Sequence, residues 1–325
     1  MTQYQGRFNY WSQLAILLGL VGVGFIISGI ITVAIGIKAV GGDMAAAMKN
    51  PEAIQAALLN PANASYAQAA QIAGTFFMMF LPSMAFILIC HKKLLWAGFS
   101  KHFNLLQILL GFFIMLLANY MAGPFEEITK KILVHFPSMD KSAKAAEDLY
   151  TQAVASMSNL KGGGQFIIAV FVIAFFPAVF EEMLFRGVLQ NFFTKWFKAP
   201  LVAIITASLL FSLIHASYYL FLSRFILGLA LGFMFYYTKN IWVNIFAHFI
   251  NNLIALSVLF YGNMNNKATA INQQEVKLPI WSIFITGAIL YGLFVLLIKV
   301  SKENRNRIAL KENLVFSNEP LIAEQ

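Results

Sequence analysis

Hydrophobic residues in this chain fall in long unbroken runs, not in the alternation of a half-buried strand or the stripe of a surface helix. A helix rises 1.5 Å per residue and bilayer hydrocarbon is about 30 Å thick, so roughly 20 mostly apolar residues make a crossing. Eight runs approach or exceed that length: 12–38, 72–91, 104–122, 166–194, 200–216, 219–237, 241–261 and 279–299. Single strands cannot satisfy their backbone in lipid, so each run is read as a helix. The pattern predicts an all-α, polytopic membrane protein with about eight transmembrane helices. The fourth run is too long for a simple crossing and is expected to tilt or to extend past the membrane. Between runs, residues 39–71 are rich in Ala and Asn. In 123–164, Phe125, Ile128, Ile132, Leu133 and Phe136 recur at helical spacing. That spacing predicts an amphipathic outer segment lying at the interface. Gly162-Gly163-Gly164 then reads as a flexible entry to the fourth run. The expected organisation is an N-terminal three-helix membrane region with outer loops (1–164), a membrane core carrying the chemistry (165–262), and a last span with a basic tail (263–325).

Composition agrees with this reading. Of 325 residues, 59% are hydrophobic and 11% charged, against about 25% charged in soluble domains. The net charge of +9 does not point to nucleic acid, because the basic residues flank apolar runs and do not form a patch interleaved with aromatics. Lys92, Lys93, Lys101, Lys195, Lys198 and Lys239 occupy short loops on one side. Lys299, Lys302, Arg305, Arg307 and Lys311 follow the last run. The positive-inside rule makes that side cytoplasmic, with both termini on it, in an inner or plasma membrane. The run after Arg7 exceeds a signal-peptide core and reads as an uncleaved anchor. Cys90 is the sole cysteine, which rules out an intrachain disulfide and a multi-cysteine metal site.

Against this background, ionisable and amide side chains inside the runs stand out. A charge at mid-bilayer costs about 2.5–3.5 kcal/mol on insertion scales, so each needs an offset or a role. Glu182 and Arg186 are four residues apart, share a helix face and can neutralise each other. Glu181 points about 100° away from that pair. Phe211 and His215 lie one turn apart, as do His248 and Asn252. Asn251 faces elsewhere, toward a neighbouring helix. Counted along the helices from the cytoplasmic turns, Glu181, His215, His248 and Asn252 all reach a layer about 12–20 Å deep. A glutamate and a histidine can hold one water for attack on a carbonyl, while a second histidine and an asparagine donate to the oxyanion. The same His, His and Glu could bind zinc, although no His-Glu-x-x-His motif is present. A proton-coupled transporter also uses buried Glu and His.

Three motifs stand in order here: Glu181-Glu182-x-x-x-Arg186, Phe211-x-x-x-His215 and His248-x-x-x-Asn252. With them, the chain resembles the CPBP family, the CAAX-protease and bacteriocin-processing (Abi-type) intramembrane peptidases. Gly228-x-x-x-Gly232 through Trp242 to His248 is also similar, and the resemblance covers roughly residues 165–255. It implies an eight-helix fold with an intramembrane endopeptidase site. Within that site it implies Glu181 and His215 as activators of water, His248 and Asn252 as the oxyanion stabiliser, and Glu182 and Arg186 as support. The implied partners are the lipid bilayer and a peptide or protein substrate, membrane-associated in some relatives. The favoured reading has no cofactor. If a divalent metal such as zinc is present, Glu181, His215 and His248 are its expected ligands. Asn252 is a poor zinc ligand but a good donor to an oxyanion. A non-catalytic immunity or scaffold protein on the same fold is a further alternative. Phe125-Glu126-Glu127 followed by Lys130 and Lys131 imitates the first motif but lies in the outer segment, where its carboxylates are solvated.

Overall fold

The computed structural model describes residues 7–102, 104–157, 163–264 and 279–312. Its elements in chain order are α1 (Tyr10–Val40), α2 (Met44–Lys49), α3 (Pro51–Leu59), α4 (Pro61–Cys90), α5 (Leu105–Leu133), α6 (Pro137–Met157), α7 (Gly164–Phe197), α8 (Pro200–Leu213), α9 (Phe221–Thr238), α10 (Ile241–Met264) and α11 (Ser282–Glu312). Seven of these (α1, α4, α5, α7, α9, α10 and α11) are long and apolar enough to cross a bilayer. The chain is an all-α, multipass membrane protein.

The eighth predicted run is helical but short. α8 has 14 residues, about 21 Å at 1.5 Å per residue, which falls short of the hydrocarbon thickness. Its far end, with the loop 214–220, is therefore recessed. Irregular backbone at such depth is tolerated where protein covers it. The cover comes from α6: Tyr219 donates to Asp140 Oδ1 at 2.6 Å and Ser217 donates to Glu147 at 2.8 Å. The Asp140 carboxylate pushes the Tyr219 phenol up to about 12, so it stays a donor across the working pH range.

Other boundaries differ from the hydrophobic pattern. The expected interfacial helix at 125–136 is not separate, because α5 runs unbroken through Pro124 to Leu133. Glu126 there pairs with Lys130 at 2.9 Å, a half-buried i, i+4 pair within α5. The outer amphipathic helix is instead α6, mostly polar and with Ala143 and Ser156 turned inward. The second crossing starts at Pro61, eleven residues before the apolar run at 72–91, because the Ala-rich stretch continues the helix. Of the three glycines before the fourth run, Gly162 lies outside the described residues and Gly163 already opens a helix.

α7 and α9 are the most enclosed crossings: 56% of the apolar stretch of each is buried, against 11% for α1. Proline lacks an N–H and crowds the carbonyl four residues back. Pro177 does not break α7, since the turn before it widens into a π-helix at Val170–Phe175. Pro82 in α4 is preceded by the same device at Phe76–Phe80. A second π stretch, Met183–Gln190, begins directly after Glu182; π turns concentrate at functional sites.

α8 packs closely on α9 through the two glycines. A Cβ on Gly228 would meet Ser208 Cβ at 3.0 Å, and one on Gly232 would meet Ile204 Cγ2 at 2.8 Å. Gly-x-x-x-Gly thus serves packing within the chain. It also bares carbonyls: Arg186 donates to Gly228 O at 3.2 Å and Gln190 to Gly232 O at 2.9 Å. Gly228→Val is expected to push α8 off α9 and cost about 1–3 kcal/mol, as overpacking does. Thermal unfolding of the detergent-purified protein reads this, and an unchanged midpoint would contradict the contact.

Candidate active site

The site is built at the middle of α7, at the recessed end of α8 and on one face of α10. Glu182 is fully buried and Arg186 nearly so. Arg186 Nη1 donates to Glu182 Oε1 at 2.7 Å, while its guanidinium lies over the Phe211 ring, 4.6 Å from the centroid. Phe211, the first residue of the second motif, therefore stacks on the cation of the first. The Glu182 carboxylate has further partners: His248 Nδ1 donates to Oε1 at 2.9 Å and Asn244 Nδ2 donates to Oε2 at 3.2 Å. Glu182 is more than half of an ion pair, since it ties α7 to α10 and orients an imidazole.

Glu181 takes no part in that network and faces the two histidines. Its Oε2 lies 3.9 Å from His215 Nε2 and 3.8 Å from His248 Nε2. The His215 ring is held by a 2.7 Å hydrogen bond from Nδ1 to Phe211 O, one turn back on α8. In both rings Nδ1–H is thus committed to an oxygen, which fixes the tautomer and turns Nε2 toward Glu181. Two ring lone pairs and a carboxylate oxygen then converge on one space. A donor suits that space, and one water, with hydrogen bonds of about 2.8 Å, has the size to enter it and two O–H groups to serve two of the three acceptors.

The structure thus brings together Glu181 of α7, His248 of α10 and His215 from the turn directly after α8. It sets Glu182 and Arg186 directly behind them. Asn252 lies one turn beyond His248 on α10, half-buried, and makes no hydrogen bond among the described residues. Asn251 donates nothing to this site; its Oδ1 accepts from Asn119 of α5 at 2.9 Å. Asn244 was missed in the sequence. The signal was there: Asn244, His248 and Asn252 follow one another at four-residue steps, marking one polar face in an apolar helix. Among the described residues no group of three or more His, Cys, Asp or Glu side chains is disposed to hold a metal ion. The three convergent groups do not meet that fit as they stand.

Comparison with known proteins agrees with the motifs. Residues 163–254 match the family described as type II CAAX prenyl endopeptidase Rce1-like, and the matched segment contains all three motifs. A 74-residue stretch is 40% identical to a Bacillus subtilis (strain 168) protein described as uncharacterized protein YpbD, covering 22% of this chain and 34% of that protein. The match therefore spans about a third of the curated relative. No solved structure matches.

Proposed function

We propose that this chain, a multipass membrane protein whose residues 163–254 are Rce1-like, is an intramembrane endopeptidase that hydrolyses a peptide bond with activated water. The observation that carries this reading is the convergence of Glu181 Oε2 with the Nε2 atoms of His215 and His248, at 3.9 and 3.8 Å.

The chemistry follows from the donors and acceptors. A water between these groups donates one O–H to Glu181 and the other to His215. As its oxygen bonds to the substrate carbonyl carbon, its proton passes to the Glu181 carboxylate. The carbonyl electron pair moves onto oxygen. His248, its ring oriented by the Glu182 carboxylate on Nδ1, faces that oxyanion and donates to it from Nε2 in its doubly protonated form. Asn252, one turn on, supplies the second donor once substrate is bound. The oxyanion then reforms the carbonyl, the C–N bond breaks, and Glu181 returns its proton to the departing amine. One water is consumed, leaving a carboxyl and an amine.

Every step uses side chains of this chain, and no cofactor is invoked. Elemental analysis together with activity before and after chelation tests that point. Activity lost on chelation and restored by zinc would replace the water-only reading with one in which Glu181, His215 and His248 hold the ion. The substrate class is a peptide or membrane-associated protein. The setting is the inner or plasma membrane with both termini cytoplasmic, a reading supported by Lys92, Lys93, Lys101, Lys195, Lys198 and Lys239 in the short connections of one side. Comparing the peptide termini of the membrane proteome in cells carrying wild type or Glu181→Ala identifies the target. Identical proteomes, with both proteins present at equal level, would refute the peptidase reading.

A further inference from the structure

α9 carries a cation that the chemistry above does not use. Arg224 lies one turn before Gly228, whose carbonyl accepts from Arg186, and so sits one turn outward from the buried network. It is 9% exposed. Its Nη1 is buried without a hydrogen-bond partner among the described residues, and it forms no ion pair there. Its guanidinium carbon stands 5.0 Å from the centroid of the Tyr150 ring of α6, a wall that attracts the cation but accepts no N–H in the plane of the fork. The segment around it is held in place. Ser212 donates to Phe221 O at 2.6 Å and Ser223 to Ala122 O at 2.7 Å. The Ser217 hydroxyl already engages Glu147. Ser212 lies three residues before His215 and Phe221 three before Arg224, so the first of these bonds holds the start of α9, with Arg224, against the end of α8 that leads to His215.

A guanidinium nitrogen withdrawn from water and left without an acceptor is costly. A planar anion is the ligand that fits it, because the fork meets carboxylate geometry two bonds at a time. The N-terminus of α9 has no capping side chain at Leu220 and adds favourable potential for an anion three residues from the arginine.

We infer that Arg224 is a specificity-determining residue that binds a carboxylate of the substrate beside the reacting water, with the Tyr150 ring as the wall of that subsite. This rests on the peptidase reading for its place in turnover, but the binding itself does not depend on cleavage. In a peptide the carboxylate comes from a free C-terminus or from an acidic side chain.

The test uses the full chain in nanodiscs of zwitterionic lipid, with Glu181→Gln as the background so that nothing is cleaved. Four probes are titrated: an acetylated apolar tetrapeptide acid, its C-terminal amide, and that amide with aspartate or with asparagine at the second position. One acid is expected to bind at least about ten-fold more tightly than its neutral counterpart, as a charge-assisted bidentate pair predicts. Whichever acid is preferred names the source of the carboxylate. Adding Arg224→Gln is expected to bring acid and neutral probe within about two-fold, and Arg224→Lys to leave an intermediate preference. On the wild-type background, the same substitutions should raise KM for a randomised octapeptide acid library with little change in kcat. Equal binding of acid and neutral probes by the Arg224 protein, or a preference that survives both substitutions, overturns the proposal. If Arg224→Gln does not fold, the Arg224→Lys series decides in the same way. A carboxylate preference without any cleavage in wild type would keep this subsite and reject the peptidase reading.

Discussion

Glu181→Gln is expected to lower the rate of peptide cleavage by about 10²–10⁴-fold, the usual contribution of a positioned general base, while leaving the protein folded. The two outcomes separate because of where Glu181 sits. Its carboxylate is outside the Arg186 pair and makes no hydrogen bond to the buried network; its neighbours are two Nε2 atoms at 3.8 and 3.9 Å. Glutamine keeps the shape and one oxygen but cannot accept the proton of the attacking water. It can even donate to an imidazole lone pair, so the thermal midpoint should hold or rise slightly. Cleavage of the target found by proteomics, measured beside the unfolding midpoint of the same preparation, checks both halves. Retained cleavage would remove Glu181 from the reaction. Lost cleavage with a collapsed midpoint would make it a structural residue.

Glu182→Ala is expected to do the reverse first, destabilising the fold by about 3–5 kcal/mol because it strands a buried guanidinium. Arg186 would keep only the Gly228 carbonyl and the face of Phe211, while Asn244 and His248 would each lose an acceptor. Replacing the pair together, Glu182→Leu with Arg186→Leu, should recover much of the stability, since apolar isosteres often match or exceed a buried ion pair. It should not recover cleavage, because His248 then has no carboxylate to fix its tautomer and ring orientation. Equilibrium unfolding in mixed micelles and cleavage by the double variant check the two statements. A double variant that cuts normally would reduce Glu182 and Arg186 to charges that merely neutralise each other.

The fold class was legible because length and apolarity are local properties. A run of some 20 apolar residues has one stable form in lipid, and seven of the eight runs are long enough crossings. Helix ends were less legible for the same reason. The backbone of α4 begins at Pro61 among alanines and polar residues, and α5 continues through Pro124 and a Glu/Lys turn. Hydropathy reports where lipid is, whereas hydrogen bonding decides where a helix stops. α8 shows the opposite limit: its run looked like a crossing through residue 216, but the helix ends at Leu213, and the loop beyond is held by α6 side chains 70 to 79 positions away in sequence.

The site divides along the same line. The residue types and their four-residue spacings were present in the sequence, and these local steps place Glu182 with Arg186, Phe211 with His215, and His248 with Asn252 on shared faces. The identity of the polar residues, and the anomaly of finding them in apolar helices, came from the sequence alone. Only the packing of α7, α8 and α10 decided that Glu182 receives His248 as well as Arg186, that Phe211 stacks on the guanidinium, and that Asn244 belongs to the network. Only it turned both Nε2 atoms on Glu181. Helical periodicity specifies which side of its own axis a residue occupies, but the rotation and depth of one helix against another are set by side chains far apart in the chain. Here those are Gly228 and Gly232, which let α8 and α9 close up and leave their carbonyls free for Arg186 and Gln190.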